Sequence, residues 1–588
     1  MKYFPERPLL VQSDSTLLLE THHDDFEQLS EELGKFAELV KAPEHLHTYR
    51  LTPLSLWNAA SSGLSADQIL YVLRGNSKLE VPGQVQNHIR HYVARYGLVR
   101  MIARSDGTMA LESDDPAVVS ELAHFTTTRA FFIGQSNELT IEFDPAYRGV
   151  IKQELIKLGY PVSDLAGYHD GERLPMRLKE FTGKAPAAPM PGGAFRLRDY
   201  QREAVDALCA DGRRHGGSGV VVLPCGAGKT VVGIAAMARL QCATLILTTN
   251  VASVRQWKRE IEAKTDLPKD AVGEYSGASK EVCPVTIATY QILTHRHRKD
   301  EPFSHMRLFT ERDWGLIVYD EVHLLPAPVF RVTAEIQATR RLGLTATLVR
   351  EDGCEEDVFS LVGPKLYEAG WKELEREGWI AKVRCTELRV TMPREVREAY
   401  MTAENKAKAR IAGENPNKLN VIRQLMTRHD REPTLVIGQY LDQLKHISEE
   451  LEAPMISGEM PHKERDRLYA QFREGAIRTL VVSKVANFAI DLPDARVAIQ
   501  VSGSFGSRQE EAQRLGRILR PKADNEAFFY SLVSEESREQ EFSIHRQLFL
   551  VEQGYRYEIR QAAAGTGTGT GASAGESFEQ QGQGAAAE

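Results

Sequence analysis

The sequence predicts an α/β protein in which two lobes with parallel sheets follow small N-terminal domains and precede a disordered tail. Three observations predict it. Past residue 194, short β-branched runs alternate with longer amphipathic segments: GVVVL, ATLILTT, PVTIATY and LIVYD, then PTLVIGQY, TLVVSKV, VAIQVSG and AFFYSLV. That alternation is the signature of βαβ units and a parallel sheet. A Pro-, Gly- and Ala-dense stretch, KAPAAPMPGGA, separates this part from a differently patterned front. The closing AAAGTGTGTGASAGESFEQQGQGAAAE holds too little apolar surface to bury a core.

Taken in order, residues 1–130 read as a first N-terminal domain. Apolar residues at helical spacing run from Pro53 through Gly75 and again from Val85 to Leu98, which suggests a small helical or mixed module. Residues 131–185 form a second unit, with LTIEFDP as a strand, Arg148–Leu158 as a helix and Tyr160–Asp170 as turn-rich chain. Residues 186–194 are the linker, 195–370 the first lobe, and 371–560 the second lobe with an insertion at about 391–418. Residues 561–588 are the tail.

Composition narrows the class. At roughly 100–200 residues per domain, 588 residues mean several units rather than one core. No apolar run reaches the roughly 18–20 residues of a membrane span. The N-terminus turns acidic by His22–Asp25 without a signal-peptide core. The six cysteines are scattered, with neither a CxxC pair nor a His/Cys cluster, which argues against zinc and disulfides and fits a reducing cytoplasm. The net charge of −8 excludes a general basic coat but leaves room for a locally basic groove.

The most informative stretch is GVVVLPCGAGKTVVGIAAMARL. A strand meets a Gly-rich loop and then a helix. Gly226 and Gly228 let successive N–H groups, with that of Ala227 between them, turn toward a phosphate at a helix N-terminus. Lys229 is placed to reach the β- and γ-phosphates of ATP, and the Thr230 hydroxyl to ligate Mg²⁺. The strict GxxxxGK[ST] pattern has Gly where Leu223 stands, so the loop is a variant. Downstream, WGLIVYDEVHLLP ends a strand in two acids. Asp320 is the candidate metal ligand and Glu321 the residue that orients and polarises the attacking water. His323 completes a DExH-like box and is a candidate γ-phosphate sensor.

Two further segments narrow the field of P-loop ATPases. GLTATLVRED carries Thr345-Ala346-Thr347, at the place where superfamily 2 helicases couple the ATP site to nucleic acid. QEEAQRLGRILRPK fits QxxGRxxR through Gln513, Gly516, Arg517 and Arg520. Spacing of i, i+3 puts Arg517 and Arg520 on one helix face, as arginine fingers require. Segments Thr248–Glu260 and Ala288–Leu293 occupy the positions where the first lobe of such motors contacts a strand; ordinary capping explains any one of their residues equally well.

On these motifs the chain resembles the XPB branch of helicase superfamily 2. LRDYQREAV resembles that branch's adenine-recognition segment, which gives Arg198 and Gln201 base-reading roles, although Asp199 stands where Pro is expected. VRED puts Arg350, Glu351 and Asp352 on the family's RED motif, implicated in DNA opening. SKVANFAIDLP, VSGSFGSRQEEAQRLGRILR, the closing AFFYSLVSEESREQEFSIHRQLFLVEQGYRY and the front segment TYRLTPLSLWNAASSGLSADQILYVLRGNSKLEVP resemble the same branch. The segment near 139–183 takes the position of its damage-recognition domain. TMPREVREAYMTAENKAKARIAGENPNK resembles its thumb, where Arg394, Arg397, Lys406, Lys408 and Arg410 would contact backbone; a charged, solvated helical hairpin explains that segment as well.

The resemblance implies two RecA-like P-loop lobes and an ATP- and Mg²⁺-dependent DNA helicase or translocase of 3′→5′ polarity, acting on forked or partly single-stranded DNA in repair or transcription. It also implies a nuclease or other repair partner, and a prokaryotic member of the family. Polarity comes from the resemblance alone. An RNA helicase with the same engine, and an ATP-gated clamp that opens duplex DNA without processive movement, are the competing readings. A catalytically dead module conflicts with the presence of Lys229, Asp320, Glu321, Arg517 and Arg520.

Overall fold

The computed structural model describes residues 3–42, 45–180, 195–209, 217–277, 279–296, 298, 304–337, 339–347, 355–483, 495–503, 515–516, 518, 525–553, 555 and 557–562. Within them the chain builds four sheets.

The first is a four-stranded antiparallel sheet, in the order Leu9–Val11, Thr16–Glu20, Leu46–Arg50, Glu38–Lys41. Helices Pro53–Ser61, Ala66–Asn76 and Gly83–Arg95 follow it. Local chemistry sets two of their starts. Thr52 and Ser55 form a reciprocal capping box with Pro53 in the first turn, and Ser65 and Gln68 form another. Leu17, Leu19, Leu33, Tyr49, Leu56, Leu73 and Ile89 close the core.

The second sheet has five strands, in the order Phe132–Asn137, Thr140–Phe143, Met109–Glu112, Val99–Ala103, Val162–Asp164. It straddles residue 130, so the boundary between the two N-terminal units falls near Leu98 rather than at 130/131. The reason is pairing: Met109–Glu112 runs antiparallel to Thr140–Phe143, and the strands on both sides of residue 130 share one core. The linker at 186–194 lies outside the described residues.

The two large sheets carry seven parallel strands each. In the first lobe the order is Val272–Tyr275, Val285–Thr289, Thr244–Thr248, Leu316–Asp320, Arg340–Thr345, Ser218–Val222, Lys365–Glu368. In the second it is Met455–Ile456, Thr479–Val482, Thr434–Ile437, Val497–Gln500, Glu526–Ser534, Lys382–Val390, Tyr557–Gln561. The inner strands are buried along their whole length, as sheets covered on both faces by helices demand. The last strand takes in Gln561, and the Ala562 N–H donates to Arg389 O at 2.8 Å, so regular pairing runs slightly past the expected start of the tail. One apolar cluster runs from Val221 and Ile234 of the first lobe through Ile380 and Ala381 to Leu515, Ile518 and Tyr555 of the second.

The N-terminal units dock on both lobes. Helix Arg148–Lys157 packs so closely on helix Ala327–Glu335 that a Cβ on Gly149 would lie 2.2 Å from Ala334 O. Trp57 stacks near Phe359, 6.4 Å between centroids, and Asn58 Oδ1 accepts from the Lys365 N–H at 3.2 Å. On the other side, Leu548 of helix Arg538–Glu552 is buried within the core of the first N-terminal unit.

Candidate nucleotide site

Strand Ser218–Val222 ends in a loop that turns twice through left-handed backbone, Gly226 at φ 84° and Gly228 at φ 86°, before helix Lys229–Leu240 begins. Only glycine adopts those angles without strain. The loop is anchored from helix Asp199–Leu208: the Tyr200 hydroxyl and Gln201 Nε2 donate to Ala227 O at 2.7 and 2.9 Å. Gln201 is buried, its Oε1 accepts from the Arg198 N–H at 3.1 Å, and its amide stands 2.6 Å from where a Gly228 Cβ would be. In this structure Gln201 therefore holds the loop, whereas the sequence assigns it to a base.

Neighbouring strand Leu316–Asp320 delivers the two acids to the same edge. Lys229 Nζ lies 3.5 Å from Glu321 Oε1 and 4.0 Å from Cys225 Sγ. Burial works to lower the Lys229 pKa, and the charges of Cys225, Glu321 and Asp320 more than offset it, so the ammonium is held well above its ordinary range. Asp320 is pushed up to about 6, chiefly by burial and then by Glu321, while an N–H from Trp257 Nε1 at 2.8 Å works against the rise. A buried carboxylate that resists ionisation beside a second carboxylate is a place where a hard cation fits. Thr230, on the first turn of helix Lys229–Leu240, carries a hydroxyl that could serve such a cation as a second oxygen donor.

Glu321 itself is left-handed at φ 52°, which is uncommon for a residue with a side chain. That turn breaks the strand and sends His323 inward, where it is buried. His323 Nδ1 lies 2.7 Å from Thr345 Oγ1, and Thr345 Oγ1 donates to Thr347 O at 2.5 Å and accepts from the Thr347 N–H at 3.1 Å. The acidic box and the Thr-Ala-Thr segment are thus joined by one buried chain of hydrogen bonds.

Two residues of the site, Trp257 and Tyr200, escaped the sequence reading, and a third, Cys225, has a neighbour across the lobes. Trp257 sits at i+3 from Val254 and i−4 from Ile261, a spacing that reads only as core. Its indole nonetheless reaches Asp320, passing over Gly233, where a Cβ would stand 2.5 Å from the ring. Tyr200 reads as an ordinary helix residue. Cys225 faces the second lobe: a Cβ on Gly516 would lie 2.1 Å from Cys225 Cβ. The glycine of QxxGRxxR therefore sits directly against the phosphate loop of the other lobe. Gln513, Arg517, Arg520, Arg350, Glu351 and Asp352 lie outside the described residues, as does the Lys406 side chain.

The expected strand-contacting residues are partly committed elsewhere. The Asn250 side chain accepts from the Ser253 N–H and Thr289 Oγ1 from the Ile292 N–H, both as helix caps. The thumb segment is a pair of helices, Arg394–Thr402 and Asn405–Gly413. There Arg394 pairs with Glu398, Arg397 with Glu536, and Arg410 with Glu414 and Asp442, all at the surface.

Two stacked-strand lobes with a phosphate loop, an acidic box on the adjacent strand and a second-lobe glycine against the loop define a two-lobed P-loop ATPase of helicase superfamily 2. Three family models match: "ERCC3/RAD25/XPB C-terminal helicase" over residues 374–581, "Type III restriction enzyme, res subunit" over 194–350, and "Helicase conserved C-terminal domain" over 9–135. The chain is 52% identical to the DNA 3′-5′ helicase XPB of Kineococcus radiotolerans, covering 94% of this chain and 96% of that one. It is 51% identical to the protein of the same name from Mycobacterium tuberculosis, over 94% and 98%. It is 34% identical to the general transcription and DNA repair factor IIH helicase/translocase subunit XPB of Enterocytozoon bieneusi, over 94% and 92%. The chain belongs to the XPB family of DNA helicases.

Proposed function

We propose that this protein is an ATP-driven 3′→5′ DNA helicase or translocase that opens forked or partly single-stranded DNA in repair or transcription. The observation that carries the proposal is the 3.5 Å pair between Lys229 and Glu321, backed by the His323–Thr345 bond. It brings a phosphate-binding cation, a water-orienting carboxylate and the segment that senses nucleic acid into one cluster. Before ATP arrives, Lys229 holds Glu321. When the β- and γ-phosphates reach the loop, Lys229 turns to them, and Glu321 is released to orient the attacking water and polarise it. Thr230 and Asp320 would hold Mg²⁺, which when bound neutralises charge on the phosphate oxygens. Arg517 and Arg520, with Gln513, would complete the site from the second lobe, and Arg198 would face the base. Thr345 and Thr347, with Arg350, Glu351 and Asp352, would pass the state of the site to DNA. Arg394 and Arg397 would contact its backbone by exchanging their present carboxylate partners for phosphates.

The names of the relatives support DNA as substrate and the polarity, and the subunit names support work within a larger repair or transcription assembly; a nuclease or other repair partner is part of the proposal on the family resemblance alone. A reducing cytoplasm is part of the same proposal, on the scattered spacing of the six cysteines in the sequence. No helix among the described residues is long and apolar enough to cross a membrane.

The test is steady-state ATPase with Mg²⁺, alone and with single-stranded, duplex and forked DNA and matched RNA, followed by displacement on tailed duplexes. Stimulation by DNA over RNA, with 3′-tailed substrates unwound, is expected. Stimulation by RNA would overturn the substrate. Turnover with altered DNA footprints but no displacement would make the protein a clamp.

A further inference from the structure

The chain between the lobes, from helix Trp371–Arg376 to strand Lys382–Val390, carries an aromatic residue that the catalytic scheme does not use. Of the five tryptophans, Trp57, Trp257, Trp314 and Trp371 are at most 2% exposed, whereas Trp379 is 37% exposed. Its ring is nonetheless held. The indole Nε1 donates to Glu377 Oε2 at 2.8 Å, and the Arg198 guanidinium lies over the ring, 4.6 Å from its centroid. Arg198 Nη1 donates to the Tyr200 hydroxyl at 2.8 Å, and that hydroxyl donates to Ala227 O inside the phosphate loop at 2.7 Å. Three contacts therefore lead from the phosphate loop to an indole on the segment between the lobes. Gln201, the other expected base reader, is buried and committed to the loop.

We propose that Trp379 is the base-stacking residue of this nucleotide site and sets its preference for a purine. The inference rests on reading the loop as an ATP site. A flat π-face with a cation on it is what a heteroaromatic ring stacks against. A stacking residue on the inter-lobe segment differs from one on the first lobe in one respect. Seating the base there adds a contact to the chain about which the lobes move, so occupancy of the base position is felt at the hinge as well as at the phosphates.

Because Trp379 is the one exposed tryptophan, collisional quenching by acrylamide reads it selectively in the full-length protein. ADP is expected to protect it, and inorganic tripolyphosphate, which fills the phosphate loop without a base, is expected not to. Trp379→Ala should raise KM for ATP about 10-fold with kcat nearly unchanged, in line with the loss of one base–aromatic stack. It should also narrow the discrimination between ATP and CTP, and Trp379→Phe should restore most of both. If calorimetry shows ADP bound while acrylamide still reaches Trp379 unhindered, or if Trp379→Ala keeps KM and base preference, the inference is overturned and the motor reading stands. If ADP does not bind the wild-type protein at all, the ATP-site reading falls and takes this inference with it.

Discussion

Among single residues, Lys229 is the point where the resting site is held together. Its ammonium is kept charged by Cys225, Glu321 and Asp320 against the cost of burial. Lys229→Ala removes the phosphate partner and leaves two acids facing each other. ATP turnover, followed by phosphate release, is expected to fall to background; wild-type turnover in that variant would show that the loop is not the ATP site. Much of this residue chemistry was legible beforehand. Lys229, Asp320, Glu321 and His323 are found together because loop and box each lie at the end of a parallel strand, where any such sheet collects its site. What was not legible is side-chain destination. Gln201 reads as a base contact, yet its amide goes to Ala227 O. Trp257 reads as core, yet its N–H goes to Asp320. Spacing fixes the face of a helix on which a residue sits, not the partner its polar tip finds across the core.

For elements, two junctions carry the argument. Where helix Arg148–Lys157 meets the first lobe, Arg148 and Lys152 surround Asp164, with Arg341 close by and Gln337 accepting from Lys152 at 2.8 Å. Burial alone would raise the Asp164 pKa, but Lys152 and Arg148 outweigh it and hold the carboxyl well below its ordinary 3.8. Lys152 is lowered to about 8 by burial, against the pull of Asp164. A depressed carboxyl contributes stability that is complete above its unfolded pKa and is lost as pH falls below it. This junction should therefore hold at pH 5 and loosen below about pH 4. Asp164→Asn strands the buried cations at neutral pH and is expected to cost about 3–5 kcal/mol. Thermal melting and limited proteolysis around Arg148–Lys157 would reveal it, and an unchanged melt would mean that the cations are neutralised in another way.

The second junction is Gly516 against Cys225. Gly516→Ala should push the lobes apart and depress turnover, and Cys225→Gly in the same chain should restore part of the loss by vacating the clashing position. No recovery would place the defect elsewhere. The strands of both lobes were readable as β-branched runs, whereas the four antiparallel strands at the front were not. They are short, and the helices that follow them dominate the periodicity. The placement of the unit boundary at 130 failed for a related reason: Phe132–Asn137, apart from its first residue, is exposed, so nothing in its pattern ties it to the strands before it.

For the whole molecule, the proposed function has the two lobes meeting over one nucleotide. Arg520→Ala is expected to leave ATP binding intact and to lower turnover by about 10³–10⁵, the range associated with an arginine finger. Near-normal turnover would sink the closure scheme. The protein carries a net charge of −8, so its grip on DNA must come from a localised basic path. Affinity measured by fluorescence anisotropy should fall steeply between about 50 and 200 mM salt, in proportion to the phosphates neutralised. A flat response would mean that the contacts are not phosphate contacts.

The burial of Leu548 inside the first N-terminal unit has a consequence for how the protein is made. That unit lies far upstream in the chain, but its core lacks a side chain until the helix Arg538–Glu552 has been translated. At about 5–20 residues per second the wait is on the order of half a minute to a minute and a half. Throughout that interval the apolar patch that receives Leu548 faces the solvent of the nascent chain. The front unit is thus translated long before its core is complete.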